Sequence, residues 1–424
     1  MMILFWIIIV VENISWIVDI IKVIVAKKRM ILSSKFKIQA VKRELLPKII
    51  IVIPCLREQK IIEDTLAYFF KITRKYENVK LVVVTTERET YEMRNQNKNE
   101  PTTNEIVKKY IFSNKMSKKI TLMHYPKVDG IMADQLNFVL QKYQDKKYDN
   151  AYFCVYNADS RPHTDTIENV IEAIIKNKEP EVIQQYSYAF SNLEKIPFIM
   201  KGFALYQSNF EIKKGFVNAL LSSDMFYTYV VGHGMYIRID ILKSLNGFNN
   251  KFWCEDIYLS SNLRNKNIKI VPTMTLENME SPKKISILMK QNANWFKTSS
   301  QVTKIVKTNY SKYNKISSSL FLWSANRFCM NASWLLLPIA VAYTIIYSII
   351  SDSKSLLIIS IATYIIMQLI IYINTLEIIE KIEKKQIKKK ITLLASILVS
   401  TLISNIGPLY SLLNIKMKKY KTER

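Results

Sequence analysis

Hydrophobic positions along this chain follow two kinds of pattern. Near the ends they run almost unbroken. Residues 2–25 read MILFWIIIVVENISWIVDIIKVIV, enough helix to cross about 30 Å of hydrocarbon. Three more such stretches follow at roughly 330–350, 355–376 and 391–413. No basic leader or small-residue cleavage site accompanies the first, so it is read as an uncleaved anchor. Glu12 and Asp19 lie seven residues apart on one helical face, with Lys22 one turn beyond Asp19. That polar stripe is expected to face protein, because each charge is costly in lipid.

Between about 48 and 300 the pattern changes. Short apolar runs rich in β-branched residues alternate with amphipathic stretches. Strands are predicted at 48–54, 79–86, 120–125, 152–159, 181–189, 235–240 and 268–272, with helices from Gln59 to Ile72, near 131–142 and near 164–177. Such alternation predicts an α/β domain with a mostly parallel sheet covered on both faces. Ligands then bind at the carboxyl ends of the strands.

Composition sharpens this picture. The chain has 424 residues, 49% of them hydrophobic. Seven Gly and eleven Pro exclude collagen-like and Gly/Pro-rich disordered chains. Four Cys without C-x-x-C spacing argue against a disulfide scaffold or a zinc site, and fit a reducing compartment. The formal charge of +26 requires that an anionic partner be considered. Segment 27–48 holds eight basic residues and one acidic, 381–390 six and one, and 416–424 five and one, which together supply +16. Lys and Arg beside spans mark the cytoplasmic face and anionic lipid, so no nucleic acid is needed to explain them.

The expected organisation is an anchor at 1–26, a basic linker at 27–47, a cytoplasmic α/β domain at 48–300, an interfacial segment at 301–329 and a membrane region at 330–424. The expected location is a multi-pass protein of the cell membrane. A full fourth crossing would place the basic tail 416–424 outside, against the positive-inside rule, so a re-entrant hairpin broken near Gly407-Pro408 is preferred.

No G-x-G-x-x-G, P-loop, H-E-x-x-H or G-x-S-x-G occurs. Carboxylates and amides follow the strands instead. Pro54, Arg57 and Glu58 follow the first, Glu87 the second, and Asn157-Ala158-Asp159-Ser160 the fourth. Asp159, with Asn157 two residues back, can hold a hard divalent cation, or Asp159 can cap the helix near Thr164. Glu255-Asp256 opens a helical stretch, where carboxylates either cap it or act as a general base. Gly232-His233-Gly234 is a turn able to approach a ligand, its histidine structural or catalytic. Gln291 and Trp295, one helical turn apart, suit a sugar ring or a membrane interface.

In this order the motifs I-P-C-L-R-E, T-T-E, G-x-x-A-D-Q-L-N, N-A-D-S, G-H-G, E-D and Q-x-x-x-W, with flanking spans, resemble the membrane-bound family 2 glycosyltransferases, relatives of cellulose, chitin and hyaluronan synthases. The resemblance implies a GT-A (nucleotide-diphospho-sugar transferase) domain with N- and C-terminal transmembrane helices. It also implies inverting sugar transfer, with UDP the expected carrier. Asp256 would be the general base with Glu255 beside it. Asp159 would bind the metal, magnesium or manganese. Pro54, Arg57, Glu58, Glu87, Asp134, Asn137, Asn157 and Asp159 would line the nucleotide-sugar site. Gly232, His233, Gln291 and Trp295 would line the acceptor site.

This chain departs from the family pattern at four places. Thr85, Thr86 and Glu87 stand where an Asp usually contacts the base. Asn157 replaces the first Asp of D-x-D, Met132 stands at a usual Lys, and Asn294 replaces the Arg of Q-x-x-R-W. Expected partners are a nucleotide-sugar donor, a glycan or lipid-linked acceptor, the membrane, and subunits of a polysaccharide-assembly complex. The rival readings are a single-addition polyprenyl-phosphate glycosyltransferase and a non-catalytic subunit of such a complex.

Overall fold

The computed structural model describes residues 1–34, 46–97, 99–221, 229–252 and 254–414. Most of the basic linker and the basic tail 416–424 therefore lie outside the described residues. The chain divides into two units. A sheet unit comprises Ile38–Tyr186 and Tyr229–Glu277, and a helical unit comprises Met1–Lys37, Ser187–Thr228 and Asn278–Arg424. Segments 187–228 and 278–300, expected within the α/β domain, thus group with the apolar helices.

The sheet unit is built on seven strands: β1 (Ile49–Pro54), β2 (Val79–Thr86), β3 (Ile120–Tyr125), β4 (Tyr152–Val155), β5 (Val182–Gln184), β6 (Met235–Arg238) and β7 (Ile270–Pro272). Their spatial order is β3-β2-β1-β4-β6-β5-β7. Strand β6 runs antiparallel to both β4 and β5, and the other pairings are parallel.

Strand β1 explains why the sheet forms here. Ile49, Ile51 and Ile53 pack on one face against Leu66 and Phe69 of helix Ile62–Thr73. Ile50 and Val52 pack on the other against Leu136 and Val139 of helix Met132–Gln141. Every one of these side chains is buried, each worth about 1.5–3 kcal/mol relative to exposure. A strand apolar at every position needs cover on both sides, and it has it.

Strand β4 is shorter than the 152–159 run predicted. It ends at Val155 because the Asn157 N–H donates to Ser160 Oγ (3.1 Å) and the Ser160 N–H returns a bond to the Asn157 carbonyl (3.0 Å). Such local side-chain bonding competes with the ladder and turns the chain outward. Helices Glu87–Asn95 and Thr103–Ser113 were not anticipated. The second carries a reciprocal capping box, Thr102 with Glu105.

In the helical unit, Met2–Ile31, Ser318–Ile350, Lys354–Glu383 and Lys390–Leu413 are long and apolar enough to cross a membrane. The buried stripe of the first includes Phe5, Ile9, Glu12, Val23, Ala26 and Met30. Asp19 pairs with Lys213 Nζ at 2.5 Å, and Lys214 stands 3.7 Å from its other oxygen. The partner of Asp19 lies on a π-helical turn, Phe210–Val217, far along the chain.

The last stretch is not one unbroken α-helix, and its irregular turn falls before Gly407-Pro408 rather than at it. Helix Lys390–Ser400 ends in a 3-10 turn, Thr401–Ile403, before helix Ile406–Leu413. Thr401 bonds Tyr364, which lies about 15 Å along helix Lys354–Glu383 from its start. Asn405 bonds the Leu335 carbonyl, about 23 Å back from the end of helix Ser318–Ile350. The facing ends of those two helices are joined by a tight turn at 351–353. Pro408 sits in the first turn of its helix, where no N–H is needed. Gly407 has another role. A Cβ there would fall 2.3 Å from Asn292 Cβ, so bare backbone lets helix Ile406–Leu413 seat against helix Ile285–Ser299.

Candidate active site

The candidate residues of the sheet unit lie where strands end. After β1, Arg57 adopts a left-handed backbone (φ 57°), a conformation costing roughly 1–2 kcal/mol for a residue with Cβ. A buried carboxylate holds it there. Glu89, 2% exposed, accepts the Arg57 N–H at 2.8 Å, the Thr103 N–H at 2.7 Å and the Thr103 hydroxyl at 2.8 Å. Thr103 Oγ1 in turn accepts the Glu58 N–H at 3.0 Å. Charge-assisted bonds of this kind are the stronger ones, so Glu89 fixes the loop that presents Arg57 and Glu58. The Arg57 guanidinium, half exposed, reaches Glu92 at 3.5 Å.

At the ends of β2 and β3 a chain of three side chains forms. Thr85 Oγ1 pairs with His124 Nδ1 at 2.9 Å, and His124 Nε2 pairs with Glu87 at 2.9 Å.

The turn after β4 carries Asp159 and is anchored from below. Thr65 donates to the Ala158 carbonyl and Tyr68 to the Pro162 carbonyl. Arg161 donates to the carbonyls of Ala158 (3.2 Å) and Ser160 (2.8 Å), with its guanidinium over the Tyr68 ring. Asp159 is half buried, with Oδ1 screened from solvent. Beneath lies a network in which Tyr156 donates to Gln185 at 2.5 Å and meets Tyr236 at 3.0 Å. Burial pushes both phenols and the Cys154 thiol well above their ordinary values, so this floor stays neutral.

Next along the edge stands the Gly232-His233-Gly234 turn. Gly234 has φ +66°, and a Cβ on it would meet the Gln185 carbonyl at 2.5 Å, so only glycine fits. Its N–H donates to Val155 of β4 at 2.8 Å. Gln184 clasps the same turn, accepting from the Val231 N–H (3.0 Å) and donating to the His233 carbonyl (2.8 Å). His233 Nδ1 pairs with Glu277 at 2.9 Å, both side chains buried. The Gly232 N–H donates to Asp256 Oδ2 at 3.0 Å. A Cβ at Gly232 would point at Asp256 Oδ2 (3.6 Å) and Glu255 Oε1 (3.7 Å), so the missing side chain leaves room before both carboxylates. Glu255 is buried and Asp256 half buried, at the start of helix Glu255–Asn265.

Two further sequence candidates are engaged in the fold. Asp134 accepts the Ile131 N–H (2.9 Å) and the Asn250 amide (2.7 Å). Asn137 clasps the backbone of Phe248 through both its donor and its acceptor (2.7 and 2.8 Å). Gln291 and Trp295 belong to the helical unit, on helix Ile285–Ser299, with Trp295 exposed and Gln291 Oε1 buried.

The structure thus gathers Gly232, His233, Glu255 and Asp256 into one cluster. Through the Gly234–Val155 bond it ties their turn to the strand that delivers Asp159. Sequence reasoning missed Glu89, Arg161, Gln184, His124 and Glu277. Among the described residues no three His, Cys, Asp or Glu side chains gather around a metal-sized space. Asp159 fits the other common arrangement for magnesium or manganese, a protein carboxylate completed by substrate phosphates and water.

No protein-family model matches the chain, and no curated protein matches it. Among solved structures it is similar to a mannosyltransferase from Pyrobaculum calidifontis in complex with GDP-Man and Mn2+. That similarity has 12% identity, 95% coverage of this chain, 98% of the other, and a TM-score of 0.48.

Proposed function

We propose that this chain is a membrane-embedded, inverting glycosyltransferase that moves a sugar from a nucleoside-diphospho-sugar to a glycan or lipid-linked acceptor, in the synthesis of a cell-surface polysaccharide. One observation carries the reading. Asp256, at the start of its helix, accepts the Gly232 N–H of a turn whose Gly234 bonds Val155, the last residue of the strand before the Asp159 turn. Asp256 takes the proton of the acceptor hydroxyl as that oxygen attacks the anomeric carbon. The bond from that carbon to the diphosphate breaks, and the nucleoside diphosphate leaves on the opposite face. Glu255 is buried beside it. Asp159 would hold the divalent cation, which when bound neutralises the charge gathering on the departing diphosphate. Arg57 and Glu58, on the loop that Glu89 holds, stand on the donor side. Gln291 and Trp295 suit the acceptor, an indole face beside an amide.

The test is Asp256→Asn in purified enzyme with labelled nucleotide-sugar. Transfer should fall by about 10²–10⁴-fold, the range of a lost general base, while donor binding persists. Undiminished turnover would remove Asp256 from this role.

A further inference from the structure

We propose that Glu277 is a positioning residue, which through His233 sets the place of Asp256 and keeps it in register with the turn that carries Asp159. This rests on the reading of Asp256 as general base. In that reading two carboxylates act together, one where the acceptor proton leaves and one beside the departing diphosphate. They stand on separate segments, Asp256 at the start of helix Glu255–Asn265 and Asp159 after β4. Glu277 touches the supports of both. Its backbone forms an antiparallel bridge with Pro162, at the end of the Asp159 turn. Its carboxylate pairs with His233 Nδ1 at 2.9 Å. On one side of His233, the Gly234 N–H bonds Val155 of β4; on the other, the Gly232 N–H bonds Asp256 Oδ2 at 3.0 Å.

Each link in this chain is fixed. Glu277 is 1% exposed, and its own N–H donates to the Tyr186 carbonyl at 2.9 Å. A buried hydrogen bond to a carboxylate is short and directional, and breaking it leaves the partner group unsatisfied, so the imidazole goes where Glu277 holds it. Gln184 grips the main chain of the same turn at Val231 and His233, and Glu277 adds a grip on the side chain. At the far end, Asp256 Oδ1 accepts the Ile257 N–H of its own helix at 2.8 Å, while Oδ2 accepts from the turn. The carboxylate is slung between helix and turn, and a displaced turn rotates it. A general base must come within about 2.6–3.2 Å of the hydroxyl it deprotonates, and an error of about 1 Å can cost about 10²-fold in rate. Glu277 touches no reacting atom, so its effect belongs in kcat and not in donor binding.

The test is a pair of substitutions at Glu277, each made alone and together with Asp256→Asn, in the purified full-length protein with labelled nucleotide-sugar. Both leave the backbone bridge and alter only the arm to His233. Glu277→Ala should lower kcat by about 10–100-fold and leave the donor KM within about twofold. Glu277→Gln, whose amide oxygen still accepts from Nδ1, should recover kcat to within about fivefold of wild type. In the Asp256→Asn background, Glu277→Ala should lower the residual transfer by less than about twofold, because a residue that acts through the base then has nothing to position. If the alanine variant fails to fold, Glu277→Gln carries the same comparison, with its smaller loss again absent once Asp256 is replaced. An equal loss in both backgrounds, no loss of kcat, or a rise in donor KM that matches the fall in kcat overturns the inference and leaves the reading of Asp256 standing. Undiminished transfer by Asp256→Asn alone overturns both.

Discussion

The two units handle buried polar groups in opposite ways. In the helical unit, most buried hydroxyls satisfy themselves within their own helix. Ser348 donates to Thr344, Ser360 to Leu356, Ser400 to Ser396 and Thr401 to Ile397. Ser400 and Thr401 also reach a second helix, at the Ile199 carbonyl and Tyr364, but these bonds pin helix to helix. In the sheet unit, buried or half-buried groups reach across the chain. Glu89 holds Arg57 and Thr103, Gln184 holds the turn at 231–233, Arg161 reaches Thr65, and Gly232 bonds Asp256. Bonds of that kind fix directions, which catalysis and recognition demand and simple packing does not. The lesson is that function is sought where polar groups are satisfied at long range.

Five substitutions probe that contrast, from the largest effect to the smallest. Asp256→Asn should lower transfer by about 10²–10⁴-fold with an unchanged unfolding temperature; a parallel fall in stability would recast the residue as structural. Asp19→Asn tests the exception in the helical unit, its one long-range buried ion pair described here. It strands the Lys213 ammonium, which burial already pushes down to about 8, and should cost about 3–5 kcal/mol in detergent unfolding. Glu89→Gln should cost about 1–3 kcal/mol and raise the donor KM more than it lowers kcat, because it loosens the Arg57 loop. Gly234→Ala should cost about 1–2 kcal/mol for its left-handed backbone alone, with a further loss from the Gln185 collision, read as a lower unfolding temperature. Ser348→Ala, which removes a bond within its helix and a longer contact with Ser360 of the next, should stay at about 0.6 kcal/mol; a larger loss would show that the contact between the two helices carries weight.

What could be read in advance follows from the same contrast. Strands β2 and β3 fall on the predicted residues, and β1 begins one residue later, because runs of Ile and Val admit little else. The apolar helices were equally plain from their length. The end of β4 was not, since the reciprocal bonds of Asn157 and Ser160 stop a strand that composition alone would extend. Glu87 drew attention and Glu89 did not. Two positions apart on a helix they lie on opposite faces, and only the start of helix Glu87–Asn95 decides which one turns inward. The capping box at Thr102 was visible and unused. The pairing of Asp19 with Lys213 was invisible, because nothing local records which charge a distant one will meet. Likewise the last apolar stretch tightens into a 3-10 turn at Thr401–Ile403, where no Gly or Pro marks it, while the conspicuous Gly407 serves packing.

The ties of the first helix have a consequence for biosynthesis. Lys27 bonds Glu377, a residue 350 positions later, and Asp19 meets Lys213 across 194 positions. At about 5–20 residues per second, the ribosome delivers Glu377 some 20–70 seconds after Lys27. Through that interval the amino-terminal segment must wait with its acids and ammonium groups unmatched, sheltered by water, lipid headgroups or the insertion machinery. Its ties to Lys213 and Glu377 are therefore among the last that the growing chain can make.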